Sequence, residues 1–349
     1  MANVIITGGA GFLGSRLARE LLTAGTLDVA GAGPQPLSAL TLVDSAPVPD
    51  DLATDGRVTP MLGDLGDLLA GEGPLQALLA SADVIFHLAA AVSGECEADF
   101  DLGMRANLAG TQALLAACRA TGTNPVLVLA SSLAVFGGSP DHPLPAAVDD
   151  DTLPNPQTSY GIQKFICEQL LADYTRKGFL RGRAIRLVTV SVRPGRPNAA
   201  ASGFLSSIIR EPLVGQHATC PVDPRLEVAL TSPARAVNGL LCAATASEAA
   251  WGGRTAVNLP ALTVSVAEMV GALERVAGPE AAELIDWLPD PVVAAMMAGW
   301  PARVQVGRAG RLGLAPDPDF DSVIRMHLAE TRWPGVPAGP VSGPARNGR

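Results

Sequence analysis

Tyr160 and Lys164 stand one helical turn apart in Tyr160-Gly161-Ile162-Gln163-Lys164, a stretch whose apolar residues fall at helical spacing. That i, i+4 spacing puts both side chains on one face of a helix. Free tyrosine keeps its proton to about pH 10, so a tyrosine used as a base near neutrality needs about 4 kcal/mol of extra phenolate stabilisation. An ammonium beside the ring provides it. The chain has two tyrosines in all, so this pairing is hard to obtain by accident.

A second constellation is Thr7-Gly8-Gly9-Ala10-Gly11-Phe12-Leu13-Gly14. It follows the apolar run Val4-Ile5-Ile6 and precedes Leu13, Leu17, Ala18, Leu21 and Leu22 at helical spacing. Glycine belongs where the backbone turns tightly and where it must approach a pyrophosphate closely. The helix N-terminus then offers free N–H groups and a positive dipole end to the phosphates. Gly8, Gly11, Phe12, Leu13 and Gly14 are therefore expected to line a dinucleotide site. Asp44 ends the run Leu40-Thr41-Leu42-Val43, where a carboxylate can accept from both adenosine ribose hydroxyls and repel a 2′-phosphate. That favours NAD over NADP. Its distance from Gly14 exceeds the usual spacing of about 20 residues, and Leu27 to Ser38, with Gly31, Gly33, Pro34 and Pro36, reads as an inserted loop. With NAD bound, the nicotinamide charge adds to that of Lys164, which can also hold the nicotinamide ribose.

The elements around these residues alternate between short apolar runs and helical patterns, the mark of a parallel sheet with crossover helices. Strands are expected to end near Thr7, Asp44, Leu88, Ser132 and Leu187, with a helix through Leu108, Thr111, Leu114 and Leu115. The Tyr160 helix continues through Phe165, Ile166, Leu170 and Leu171 and stops near Lys177-Gly178. This predicts an α/β, Rossmann-type doubly wound parallel sheet over residues 1–192. Past Arg193, frequent prolines predict shorter, less regular helices and a smaller, partly interleaved substrate region over 193–333, some of it returning to the first domain. The Pro- and Gly-rich stretch 334–349 reads as disordered.

As a set, these motifs resemble the short-chain dehydrogenase/reductase superfamily, in particular its extended branch, the NAD-dependent epimerase/dehydratase family. The resemblance spans the chain to about Glu330. Ser131-Ser132-Leu133-Ala134-Val135-Phe136-Gly137 is similar to the Ser-Ser-x-x-Val-Tyr-Gly segment of extended members, which implies that Ser132 bonds the reacting oxygen and Ser131 is its structural neighbour. Phe136 replaces a frequent tyrosine, and Gln163 replaces a frequent serine before the lysine. The resemblance further implies cofactor contacts at Asp64, Leu65, Leu88, Ala89 and Ala90, and that Asn107, on its helix, orders Lys164 through the backbone and water. Extended members often dimerise through the helix bearing the Tyr–Lys pair, so a homodimer is expected, with Phe165, Cys167 and Leu171 as partner-facing candidates.

Val190-Ser191-Val192-Arg193-Pro194-Gly195-Arg196-Pro197-Asn198 resembles a segment of the D-erythronate dehydrogenases, a family of extended members acting on a four-carbon sugar acid. A small hydroxy acid needs a cation for its carboxylate, and Arg193 or Arg196 can supply one. Asn198 and Ser93 are candidate hydroxyl partners, beside Ser132 and Tyr160. The implied reaction is oxidation at C2, with Tyr160 taking the hydroxyl proton and the hydride passing to NAD. Two alternatives stay open: a nucleotide-sugar epimerase that retains NAD, and a non-enzymatic NAD-sensing scaffold.

Composition removes other classes. The net charge of −9 over 349 residues argues against a nucleic-acid partner. No apolar run approaches the length of a membrane span, and no basic leader or cleavage site is read at the N-terminus, so the cytoplasm is expected. Five scattered cysteines (Cys96, Cys118, Cys167, Cys220, Cys242) suit buried thiols better than a disulfide frame or a metal site.

Overall fold

The computed structural model describes residues 1–71, 73–139, 141–195 and 201–331. Its strands in chain order are β1 (Ala2–Thr7), β2 (Thr26–Asp28), β3 (Pro34–Asp44), β4 (Val58–Leu62), β5 (Val84–His87), β6 (Val126–Ser132), β7 (Arg181–Leu187), β8 (Thr189–Val190), β9 (Ala218–Cys220), β10 (Glu227–Thr231), β11 (Val257–Asn258), β12 (Leu262–Ser265) and β13 (Ile285–Trp287). The main sheet has the order β11-β7-β6-β5-β1-β3-β2, with β4 beside β3. All pairings in the main sheet are parallel except β2 with β3.

Both sheet faces are covered, and side chains alternate between them along each strand. Val4 and Ile6 of β1 pack with Leu17 and Leu21 of helix Phe12–Ala24 and with Val237 and Leu240 of helix Pro233–Thr245. Ile5 points the other way, into a cluster with Leu114 and Leu115 of helix Gly110–Thr121 and Cys167 and Leu171 of helix Ser159–Arg176. A separate apolar core, with Leu205, Ile208, Val228, Met269 and Phe320 among its members, sits under the sheet β12-β10-β8. The later half of the chain thus builds the second lobe, yet also sends β11 and helix Pro233–Thr245 back to the main sheet.

Three local expectations are corrected. Leu27 to Ser38 is a hairpin rather than an inserted loop: β2 pairs antiparallel with the start of β3. Its turn takes positive φ at Ala30, Gly31 and Gly33. The prolines that suggested a loop sit at the open end of β3, where a missing N–H is tolerated. The region after Arg193 also holds long, regular helices, Pro233–Thr245 and Val266–Ala277. They begin at Ser caps, Ser232 and Ser265, each accepting from a first-turn N–H.

The residues of the Tyr160 helix expected to face a partner pack within the chain instead. Cys167 and Leu171 are 1% and 2% exposed and belong to the chain's own core. Phe165 packs against the cluster around Phe136 and Val188. The apolar residues that this helix presents outward are Ile162 and Ile166, with the exposed Phe100 on the neighbouring helix Phe100–Gly103.

Candidate active site

In the order β4-β3-β1-β5-β6-β7, chain direction across the sheet reverses between β1 and β5, and ligands of such sheets bind at the strand ends flanking that reversal. Thr7, Val43 and His87 are at one level there. A cleft of about 740 Å³ opens above them. It gathers Gly8, Gly11, Phe12, Leu13, Gly14, Asp44, Asp64, Leu65, Leu88, Ala89 and Ala90 with Ser93, Ser132, Tyr160, Lys164 and Arg193. Arg196 and Asn198 lie outside the described residues, as does the stretch 334–349.

The glycine turn is shaped by close approach. Gly8 has φ +74°, and a Cβ on it would stand 2.7 Å from the Ala89 nitrogen. A Cβ on Gly14 would stand 2.0 Å from the Gly8 carbonyl oxygen. Neither position admits a side chain, so bare backbone faces the cleft as a pyrophosphate requires. Asp44 holds this turn: its Oδ2 accepts from the Ala10 and Gly11 nitrogens at 3.0 and 3.2 Å, and its Oδ1 from Ala46. Asp64 caps the short helix Leu65–Leu69, accepting from the Gly66 nitrogen at 2.8 Å.

Helix Ser159–Arg176 carries Tyr160 and Lys164 against the end of β6. Its start is set by Thr158, whose side chain accepts from the Gly161 nitrogen, and by Glu97, which accepts from the Ser159 nitrogen at 2.7 Å. Lys164 is 4% exposed, and its Nζ donates to the Ala130 carbonyl at 2.9 Å. That ammonium lies 5.7 Å from the Tyr160 ring centroid and keeps further N–H donors for neighbours. Ser132 Oγ accepts from the Ala134 nitrogen at 3.1 Å, which leaves its own O–H to donate into the cleft.

Several polar groups that support this frame are not apparent from spacing. Glu168 and Arg186 form a buried bidentate pair at 2.9 and 2.8 Å, and Ser131 donates a short hydrogen bond to the same Glu168. The pair ties the Tyr160 helix to β6 and β7 at once. Its one sequence signal is that Glu168 stands a helical turn beyond Lys164. Asn107 lies in a π-helical turn, Met104–Ala109, and its amide meets Ala91, Cys96 and Gln163. None of its side-chain bonds goes to Lys164.

His87 is wholly buried beneath the cleft. Thr111 donates to the Asn107 carbonyl, so it accepts from His87 Nε2–H, and His87 Nδ1 accepts from Thr7. This assigns the neutral Nε2–H tautomer. Burial, with the Lys164 charge adding to it, pushes the His87 pKa down to about 3. Because the folded state refuses a proton that the unfolded chain accepts near pH 6.5, the folded state loses relative stability as pH falls from about 6.5 toward 3, by roughly 1.4 kcal/mol per pH unit. Thermal melts across pH 4–7 are expected to show this slope, and His87→Gln to flatten it. An unchanged slope would remove His87 as its source.

On the second lobe, Arg193 is half-buried. Its Nε donates to the Val190 carbonyl at 3.0 Å and its Nη2 to Ser202 Oγ at 3.4 Å. Burial lowers its pKa, negative charge on a Tyr160 phenolate opposes this, and the Arg210 charge adds to the lowering. Among the described residues, no carboxylate pairs with Arg193 at salt-bridge distance. Arg210 instead donates to the Arg193 carbonyl at 2.7 Å and to Glu211. Ser93 accepts from the Ala201 nitrogen at 3.3 Å, joining the two walls. Met297, Trp300 and Pro301 also line the cleft; no motif marks them.

A doubly wound sheet, a glycine turn bare of side chains and a Tyr–Lys pair above the strand ends define a dinucleotide-binding short-chain fold. The chain belongs to the NAD dependent epimerase/dehydratase family, whose family model matches residues 4–228. It is 48% identical over 94% of its length to D-erythronate dehydrogenase from Cupriavidus necator, covering 98% of that protein. It is 37% identical over 93% of its length to D-erythronate dehydrogenase from Haemophilus influenzae, again covering 98%. Its fold matches the crystal structure of a nucleoside-diphosphate-sugar epimerase from Agrobacterium tumefaciens with a TM-score of 0.85, at 40% identity and 94% coverage of each chain.

Proposed function

We propose that the chain is an NAD-dependent dehydrogenase oxidising the C2 hydroxyl of a small sugar acid, D-erythronate, to 2-dehydro-D-erythronate. The observation that carries the substrate class is Arg193: a half-buried guanidinium facing the Tyr160 side of the cleft, with no carboxylate of the described chain to pair with. A substrate carboxylate satisfies it, and full-length similarity to two D-erythronate dehydrogenases names the acid.

NAD fits the residues present. Gly8, Gly11 and Gly14 with Phe12 and Leu13 receive its pyrophosphate, Asp44 the adenosine ribose, and Asp64 and Leu65 the adenine side. Leu88, Ala89 and Ala90 form the small-residue floor. Bound NAD supplies the hydride acceptor at C4 of its nicotinamide. Tyr160 takes the proton of the C2 hydroxyl, Lys164 stabilises the phenolate and holds the nicotinamide ribose, and Ser132 donates to the reacting oxygen. Arg193 fixes the carboxylate, and Ser93 meets a hydroxyl. Arg196 and Asn198 are proposed as further substrate contacts. We also propose a division into a cofactor domain over 1–192 and a substrate region over 193–333, and a homodimer through the face bearing Ile162 and Ile166. A cytoplasmic setting is consistent with the absence, among the described residues, of a helix long and apolar enough to cross a membrane.

An absorbance assay for NADH with a panel of four-carbon sugar acids and UDP-sugars tests the reading. Reduction of NAD with D-erythronate is expected. Interconversion of UDP-sugars without net reduction would replace the reading with an epimerase. Arg193→Gln is expected to raise KM for D-erythronate by about 10- to 100-fold, the worth of one charged hydrogen bond, with NADH affinity kept. An unchanged KM would remove Arg193 from the carboxylate site.

A further inference from the structure

Gln163 stands immediately before Lys164 and has no part in the chemistry above. It is 1% exposed, and its Oε1 accepts from Asn107 Nδ2 at 2.8 Å. The Asn107 amide closes in turn on Ala91: Oδ1 accepts from the Ala91 nitrogen at 2.7 Å, and Nδ2 donates to the Ala91 carbonyl at 3.2 Å. Ala91 and Ser93 both line the cleft. A continuous path of hydrogen bonds therefore runs from the Tyr160 helix, across the π-helical turn, to the wall that faces the substrate.

The path has a tailored seat. A Cβ on Gly103 would stand 2.5 Å from Gln163 Nε2, so only glycine there lets the long amide lie in place. Serine at position 163 would be too short to reach Asn107. The length of glutamine lets its Oε1 accept from the Asn107 amide, whose nitrogen also reaches Cys96 Sγ at 3.3 Å, while the Gln163 Nε2 has no hydrogen-bond partner among the described residues.

We propose that Gln163 is a positioning residue for the substrate pocket, fixing the Ala91–Ser93 wall through Asn107. This rests on the sugar-acid reading of that pocket. The test compares Gln163→Leu, which removes the acceptor at similar bulk, with Gln163→Glu, which keeps an acceptor facing Asn107. In Gln163→Leu, amide hydrogen exchange at Ala91 is expected to quicken about tenfold and KM for D-erythronate to rise about tenfold, the worth of one buried hydrogen bond. NADH affinity and kcat are expected to stay within about threefold of wild type, a difference under 1 kcal/mol, and Gln163→Glu to restore both affected readings. Unchanged exchange at Ala91 would overturn the proposal. So would a loss of kcat, KM and NADH affinity in step with the melting temperature, which is the pattern of plain structural damage. Lack of D-erythronate turnover by the wild type would overturn the substrate reading instead, and the exchange measurement would still decide the role of Gln163.

Discussion

Replacing Tyr160 with phenylalanine is expected to lower kcat about 10²- to 10⁴-fold, the usual worth of a positioned acid–base group. The phenyl ring keeps its place over the Lys164 side, so folding and NADH affinity should be close to those of the wild type. Lys164 remains anchored on the Ala130 carbonyl at 2.9 Å whether or not the phenol is there. NADH fluorescence titration and steady-state turnover separate the two effects. Turnover within a few-fold of the wild type would sink the assignment of Tyr160 as the base.

Gly161→Ala is expected to be nearly as damaging, though residue 161 carries no reactive group. A Cβ there would lie 2.1 Å from the Ala134 carbonyl oxygen, far inside contact distance. Ala134 belongs to the turn capped by Ser132, so the clash pushes apart the two segments that must converge on one oxygen. A displacement near 1 Å at reacting groups costs about 100-fold, and that is the expected drop in kcat/KM. Stability should fall by about 1–3 kcal/mol, the range of overpacking. Gly110→Ala is the control: its Cβ would meet nothing nearer than 3.6 Å. Equal activity in the two variants would show that the turn can absorb the methyl group.

What the sequence revealed and what it hid follow from distance along the chain. Tyr160 and Lys164, the glycine turn, and Asp44 and Ser132 at strand ends are legible because each depends on local spacing or on one element boundary. Asp44 is legible even though the residues before it form a hairpin where a loop is expected, since β3 keeps its apolar end whatever precedes it. The supporting network was not legible. Glu168 meets Ser131 and Arg186, His87 meets Thr7 and Thr111, and Gln163 meets Asn107 only after the sheet has formed. Partner-facing residues on the Tyr160 helix were misassigned for a related reason. With both sides of a helix apolar, periodicity alone does not say which side meets the sheet, and the sheet claimed Cys167 and Leu171.

The carboxylate of Asp44 has a consequence for any attempt to change coenzyme. Its Oδ2 accepts from the peptide nitrogens of Ala10 and Gly11, so the side chain proposed to hold the ribose also holds the glycine turn. Swapping it for a neutral small residue would remove the repulsion of a 2′-phosphate, but it would also release two backbone donors and let the turn drift. A redesign toward NADP would have to rebuild an acceptor for those two nitrogens before adding any cation. On the proposed role of Asp44, coenzyme choice and loop shape are coupled through one carboxylate.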